Sequence, residues 1–125
     1  MKRATDALAR AECRSADHPD ASAPGLAPVL VSAPVRERAA GMLSAAGDPA
    51  RLGLLERLAG GELCVTEIAE RTGDAMPTVS QRLRLLRREG LVAARRDGKH
   101  VFYSLADGHV RDLLANVLRH AAEHA

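Results

Sequence analysis

The chain has 125 residues with one Phe, one Tyr and no Trp, so a single small domain must build its core from Leu, Val and Ala. Such a core is light for this length, and pairing with a second copy is a usual remedy. The formal net charge of +2 excludes a uniformly basic protein, but Arg82 to Lys99 holds seven basic residues against two acids, a pattern typical of either a phosphate-binding surface or solvated charge.

The sequence contains no candidate membrane segment. No run is apolar and long enough to cross a bilayer, and no continuous apolar stretch follows Lys2 and Arg3. Cys13 and Cys64 fit no dense disulfide framework. They predict a cytoplasmic protein whose thiols are reduced and are either metal ligands or simply buried.

The chain divides into an N-terminal arm and a folded domain. Residues 1–33 are rich in Ala, Pro, Ser and charge, which predicts a flexible arm. Residues 34–125 carry the periodic patterns of helices and strands. The first helix is predicted to begin at Pro34 and to end at Gly47, with Met42 and Leu43 directed towards the core.

Three more helices are predicted after the first. In "GDPARLGLLERLAGG", Asp48 suits the N-cap and Pro49 the first helical position, and two glycines end the helix. The segment "CVTEIAERTG" predicts a short third helix that ends at Gly73. In "MPTVSQRLRLLRREG", apolar residues recur at the spacing of a buried helix face, namely Val79, Leu83 and Leu86.

After this helix the pattern of the sequence changes from the helical period to the period of two that is typical of β-strands. In "LVAARRDGKHVFYSL", Asp97–Gly98 lies between two β-prone runs and predicts a hairpin with those two residues as its turn. A last helix is expected after Asp107, a second good N-cap. A short helix, a Gly-containing turn, a longer polar-faced helix and a basic hairpin form a winged helix-turn-helix, which is a mainly α (α+β) fold with one β-hairpin wing.

The fourth predicted helix carries side chains suited to the DNA major groove. Hydroxyl, amide and guanidinium groups bond to base edges, and the candidates are Thr78, Ser80, Gln81 and Arg84. The other basic residues suit phosphate contacts, which are Arg82, Arg87, Arg88, Arg95, Arg96 and Lys99. A polar helix face taken alone would more commonly just meet water. Together with the basic hairpin, it favours binding to double-stranded DNA.

These motifs resemble the winged-helix core of the ArsR/SmtB family of metal-sensing repressors. The segments that carry the resemblance are "ELCV", "TVSQRLRLLRREGLV" and "RRDGKHVFYSL", and the match extends over roughly Pro34 to Glu123. The resemblance implies a homodimeric repressor that binds operator DNA when metal-free and leaves it when metal binds. Such a protein derepresses metal efflux or sequestration genes, and it is not an enzyme.

The last predicted helix carries four candidate metal ligands, Asp107, His109, His120 and Glu123. The two histidines are eleven residues apart, which is a rise of roughly 16 Å along a helix. Zinc bonds are only about 2 Å long, so one helix cannot close such a site. On a helical wheel His109, His120 and Glu123 lie along one margin of an apolar stripe. Asp107, as the N-cap, is off the wheel and can fold back towards His109.

A second copy of the same helix solves the problem of distance. If two copies pack antiparallel about a two-fold axis near Ala115, His109 faces His120 and Asp107 faces Glu123. Two identical inter-subunit sites result, and the apolar stripe joins the dimer through its terminal helices. Nitrogen and oxygen ligands in a four-coordinate set favour Zn(II). The resemblance to zinc-sensing SmtB-type members, the nearest in pattern, extends to all four positions.

A possible second metal site combines Cys64 and Glu67 with Cys13 and His18 of the arm. The resemblance implies it, because in related cadmium, lead and zinc sensors an N-terminal arm reaches the equivalent cysteine. The "CVTE" segment lacks a second cysteine, which argues against As(III). The alternative is that Cys64 is a small buried residue and that the arm binds nothing.

The sequence thus predicts a DNA-binding and dimerisation domain with Zn(II) as effector, operator DNA and a second copy as partners, and neither a membrane nor a small-molecule substrate. Two alternatives within this class are a response to Cd, Pb, Co or Ni and a response to oxidation of Cys13 and Cys64. A zinc enzyme would need an open coordination position and an adjacent base, whereas four protein ligands close the predicted site.

Overall fold

Five α-helices and three β-strands follow one another through residues 30–125, the part of the chain that the computed structural model describes. Residues 1–29 of the predicted arm, with Cys13 and His18, lie outside it. In chain order the elements are α1 (Ala33–Ala46), α2 (Pro49–Leu58), β1 (Leu63–Cys64), α3 (Val65–Thr72), α4 (Met76–Arg88), β2 (Val92–Asp97), β3 (His100–Leu105) and α5 (Gly108–Glu123). The predicted winged helix-turn-helix is confirmed.

Local signals in the sequence define the ends of several helices. The Asp48 carboxylate accepts a hydrogen bond from the Arg51 N–H at 3.0 Å and caps α2, which Pro49 opens. Asp107 caps α5 in the same way, through the Val110 N–H at 3.0 Å. Gly73 ends α3 with a φ of +79°, a left-handed conformation that glycine adopts without steric cost. These predicted caps are confirmed.

The core consists mainly of aliphatic side chains, with contributions from every element and with Tyr103 of β3 among them. Val79, Leu83 and Leu86 of α4 are fully buried, as their spacing predicts. Burying a leucine side chain contributes about 1.5–3 kcal/mol, so this one face of α4 contributes much to the stability of the domain. Met42 packs against the core as predicted, but the prediction for Leu43 was wrong, because this side chain is 57% exposed. The neighbouring Ala45 is the buried residue of α1.

The three strands form one antiparallel sheet in the order β1-β3-β2. Strand β1 was not predicted; it has two residues, and Leu63 pairs with Tyr103. The predicted position of the hairpin turn was wrong by one residue. Asp97 is the last residue of β2 and pairs with His100, so the turn is Gly98–Lys99. The physical reason is that the positive φ, +64°, falls on Gly98 at the first turn position.

No helix within residues 30–125 is long and apolar enough to span a lipid bilayer. Helix α4 packs against α2 and α3, and β2 follows it into the hairpin. The hairpin β2–β3 and helix α4 therefore occupy the positions of a wing and of a recognition helix. Helix α5 follows directly from the wing and contacts β3.

Candidate DNA interface and metal site

Helix α4 presents one polar face to solvent. At 100° per residue, the side opposite Val79 and Leu83 carries Gln81 and Arg84, and both are exposed. Thr78 and Ser80, the other two predicted base contacts, are half-buried on the two flanks of this face. The four candidates therefore all lie on α4, and Gln81 and Arg84 are the most exposed of them.

The wing and α4 form a basic groove. Its lining includes Ser80 from the helix and four arginines, two from each element: Arg84, Arg87, Arg95 and Arg96. Lys99 lies in the hairpin turn and is exposed. No acidic side chain lines the groove in the part of the chain that the structure describes. The arrangement suits polyanions, because four guanidinium groups line the groove and, within residues 30–125, only Arg95 among them is paired with carboxylates.

Arg95 is held by contacts that the sequence did not suggest. Its Nε and Nη2 atoms donate to the two carboxylate oxygens of Glu62 at 3.0 and 2.7 Å. The guanidinium carbon lies 5.0 Å from the centre of the Phe102 ring. The hydrogen bond from Arg95 lowers the pKa of the Glu62 carboxyl group, so this carboxylate remains ionised at neutral pH. A phosphate that binds Arg95 must therefore share the guanidinium with Glu62 or displace that residue.

Arg82 is also paired. Its Nη1 atom lies 3.0 Å from the Asp74 carboxylate, in the turn between α3 and α4. The ion pair connects the turn of the helix-turn-helix to α4 and orients the guanidinium. The remaining predicted phosphate contacts are exposed and have no ion pair within residues 30–125: Arg87, Arg88, Arg96 and Lys99.

The N-terminal end of α5 brings two candidate metal ligands together. The Asp107 Oδ1 atom lies 3.8 Å from the His109 Nδ1 atom and also accepts the capping hydrogen bond from Val110. The His109 side chain is 99% exposed, so its imidazole can bind a group outside this chain. The N-cap position thus gives Asp107 both a structural contact and a place beside His109.

The other end of α5 carries His120 and Glu123, one helical turn apart and exposed. The His120 and His124 rings have centroids 4.2 Å apart, and the His124 Nδ1 atom lies 2.8 Å from the His120 carbonyl oxygen. Within residues 30–125, no three His, Cys, Asp or Glu side chains of one chain converge on a metal position. A complete site on these ligands therefore needs a second chain.

An apolar strip on α5 lies beside the candidate ligands. Val110 and Leu114 are buried against the core of their own chain. Leu113 and Val117 point to the side between these buried residues and the ligands, and they are 40% and 50% exposed. Two exposed aliphatic side chains one turn apart are suited to packing against another helix.

Of the predicted second metal site, the described residues contain only Cys64 and Glu67. Cys64 is buried at the N-cap of α3, and its backbone N–H donates to the Glu67 Oε1 atom at 2.9 Å. This hydrogen bond is the main cause of a lowered pKa of the Glu67 carboxyl group, and a second hydrogen bond with the Cys64 side chain lowers that pKa further. Both residues therefore already have roles at the start of the helix.

Comparison with known proteins identifies the family. The model of the bacterial regulatory protein arsR family matches residues 48–94. The chain is 42% identical over 96 residues to a transcriptional repressor SmtB homolog from Synechocystis, which covers 77% of this chain and 73% of that protein. The chain belongs to the ArsR/SmtB family. The family resemblance identified in the sequence is confirmed.

A further relative and a solved structure support this family assignment. The transcriptional regulator NmtR of Mycobacterium tuberculosis is 42% identical over 97 residues, covering 74% of this chain and 80% of that protein. The solution structure of a homodimeric winged helix-turn-helix DNA-binding domain from Mycobacterium bovis has a TM-score of 0.71 at 36% identity, covering 78% of this chain and 93% of that one. The chain is therefore a transcriptional regulator of the metal-sensing ArsR/SmtB family and not an enzyme.

Proposed function

We propose that this protein is a cytoplasmic, homodimeric repressor that responds to zinc. The metal-free dimer binds operator DNA through α4 and the wing. Zn(II) binding between the two α5 helices releases the operator and derepresses genes for metal efflux or sequestration. The observation that carries the proposal is the layout of α5, with one ligand pair at each end and exposed aliphatic side chains between the pairs.

In the DNA-bound state, Gln81 and Arg84 contact base edges in the major groove, aided by Thr78 and Ser80 from the flanks. The exposed basic residues bind phosphates and hold the register of the protein on the duplex, with Arg82 and Arg95 kept in orientation by Asp74 and Glu62.

In the metal-bound state, each ion has Asp107 and His109 from one subunit and His120 and Glu123 from the other. The fit rests on the chemistry of these donors and on their exposure. Two imidazole nitrogens and two carboxylate oxygens can fill a four-coordinate zinc shell. All four side chains are accessible in the single chain, and Asp107 already lies beside His109. The second candidate site combines Cys64 and Glu67 with Cys13 and His18. It is the weaker of the two, because Cys64 and Glu67 already form a hydrogen bond with each other at the N-terminus of α3.

Zinc is expected to weaken DNA binding, and this experiment tests the proposed function. If zinc favours the low-affinity conformation, the dissociation constant for operator should rise by about 5- to 150-fold at saturating zinc. By reciprocity, operator should weaken zinc binding by the same factor. Fluorescence anisotropy of a labelled duplex, selected from a random pool by the metal-free protein, measures the first effect, and a zinc-binding dye measures the second.

The control for this experiment is the His109→Ala protein, which should bind the duplex but not respond to zinc. Repeating the titration with Cd(II), Co(II) and Ni(II) ranks the metals by their effect on DNA affinity. A wild-type protein whose DNA affinity is the same with and without every metal would refute metal regulation through α5.

Substitutions on α4 and on the wing should have different effects on DNA binding. Arg84→Ala should lower the preference for the selected duplex over an unrelated one, because a base contact is lost. Arg96→Ala should weaken binding to both duplexes alike and should reduce the slope of log affinity against log salt by about 0.9 for each lost phosphate contact. Anisotropy titrations of both duplexes over a series of salt concentrations measure these effects. Equal changes in preference from both substitutions would refute this division of roles.

A further inference from the structure

A second basic cleft lies on the side of α4 that faces away from the wing. It forms where α2 packs against α4, and its lining includes four arginines: Arg51 from α2 and Arg82, Arg84 and Arg88 from α4. Thr78 and Gln81 complete its polar surface, and no acidic side chain lines it among residues 30–125. Arg84 lines both this cleft and the groove beside the wing, so the two basic surfaces meet along the exposed line of α4.

Arg51 is fixed in this cleft by the fold. Its Nε atom donates to the Ala45 carbonyl oxygen at 2.7 Å, which connects α2 to the end of α1. The backbone N–H of the same residue donates to the Asp48 cap. The two terminal guanidinium nitrogens have no hydrogen-bond partner within residues 30–125. A guanidinium held at Nε presents its other donors in a fixed direction, and less side-chain entropy is lost when an anion binds.

The dimensions of DNA make a contact on this side reasonable. The major groove is about 12 Å wide, and a helix with its side chains is about 10–12 Å across. A recognition helix in the groove therefore lies close to the sugar-phosphate backbones on both sides. The wing and its arginines lie beside one of them. The cleft formed by α2 and α4 has the charge and the position to receive the other.

We infer that Arg51 and the cleft between α2 and α4 bind the phosphodiester backbone on the side of the major groove opposite the wing. The inference rests on DNA binding by α4 in the proposed function. Arg51 lies outside the cluster of basic residues from Arg82 to Lys99, and no sequence pattern marks it as a phosphate contact. Its place in the interface follows from the packing of α2 on α4.

The salt dependence of DNA binding tests the inference. Anisotropy titrations of the full-length, metal-free protein with a labelled mixed-sequence duplex are made over a series of salt concentrations. Arg51→Gln should weaken binding about tenfold for each subunit that contacts the duplex, as expected for loss of a charged hydrogen bond. It should also reduce the salt slope by about 0.9 per subunit. Arg51→Lys should restore most of the slope, because the charge is kept.

Two comparisons separate phosphate binding from a structural role. Arg57→Gln is the matched control, because Arg57 is an exposed arginine of the same helix that contacts the Gly53 carbonyl oxygen and does not line the cleft. It should leave the salt slope unchanged. Both Arg51 variants lose the guanidinium hydrogen bond to Ala45, so thermal unfolding should shift similarly in the two.

A weaker affinity for Arg51→Gln with an unchanged salt slope would overturn the inference, and so would equal slopes for the Gln and Lys variants. Failure of the wild-type protein to bind any duplex would instead refute the proposed function. The two failures are distinguishable, because the first requires a wild-type protein that binds.

Discussion

A His109→Ala homodimer is expected to lose both tight zinc sites on α5, and a His120→Ala homodimer is expected to lose them as well. In the proposed arrangement, each ion takes Asp107 and His109 from one subunit and His120 and Glu123 from the other. Each substitution therefore removes one imidazole from both sites. With only three ligands left, all of them exposed, the protein should no longer compete with a strong zinc-binding dye for the metal.

The heterodimer of these two variants should recover one site. One of its two positions lacks both imidazoles, whereas the other keeps all four ligands. Co-expression of the two chains with different affinity tags gives the mixed dimer, and dye competition counts the tight zinc ions, with one expected per dimer. His100→Ala is the matched control, because His100 is an exposed histidine of the wing, and this homodimer should keep two tight sites.

A metal site confined to one chain predicts a different count. Each subunit of the heterodimer would then carry a damaged site, and no tight zinc would return. This outcome would refute the shared site even if the wild-type dimer bound two ions. The experiment thus distinguishes the inter-subunit arrangement from any site formed within one subunit.

The sequence predicted those parts of the fold that depend on neighbouring residues. Asp48 and Asp107 could be identified as N-caps because a cap needs only a short polar side chain three residues before the N–H that it accepts from. Val79, Leu83 and Leu86 were predictable as a buried face because helical periodicity is local. For the same reason the spacing of the candidate ligands His109, His120 and Glu123 was enough to place them on one margin of a helix.

Contacts between distant segments were not predictable. Glu62 and Arg95 are 33 residues apart, and neither has a neighbouring motif that marks it as half of an ion pair. Strand β1 has two residues, too few for an alternating pattern, and it forms only because β3 offers it an edge. Arg51 likewise becomes a candidate phosphate contact only through the packing of α2 beside α4.

Leu43 illustrates the opposite error, in which a residue was correctly recognised as apolar but wrongly assigned to the core of its own chain. It is exposed on α1, just as Leu113 and Val117 are exposed on α5. Sequence periodicity identifies an apolar face but does not distinguish burial within a chain from burial between chains. These exposed residues on the first and last helices are where the proposed dimer would add buried surface.

Leu113→Lys combined with Val117→Lys is expected to convert the dimer into a monomer. Both side chains are already 40–50% exposed in the single chain, so lysine should cost its fold little. In the dimer the change would place four ammonium groups around a two-fold axis and remove the apolar contact. Lysine also adds no good zinc ligand. Light scattering at micromolar concentration should give the mass of one chain, and the tight zinc sites should disappear with the dimer.

The matched control places lysines on the opposite side of the same helix, at Ala115 and Ala122, which are both exposed. Ala115 is level with the two-fold axis along the helix, but its side chain points away from the partner helix. At 100° per residue these positions face away from Leu113 and Val117, so the control should remain dimeric with two tight zinc ions. Thermal unfolding of both double variants checks that the domain itself is intact. A Leu113→Lys/Val117→Lys protein that stays dimeric and keeps both ions would mean that α5 does not pair through this strip. The antiparallel arrangement of the ligands would then be wrong, because the strip and the ligands lie on adjoining sides of one rigid helix.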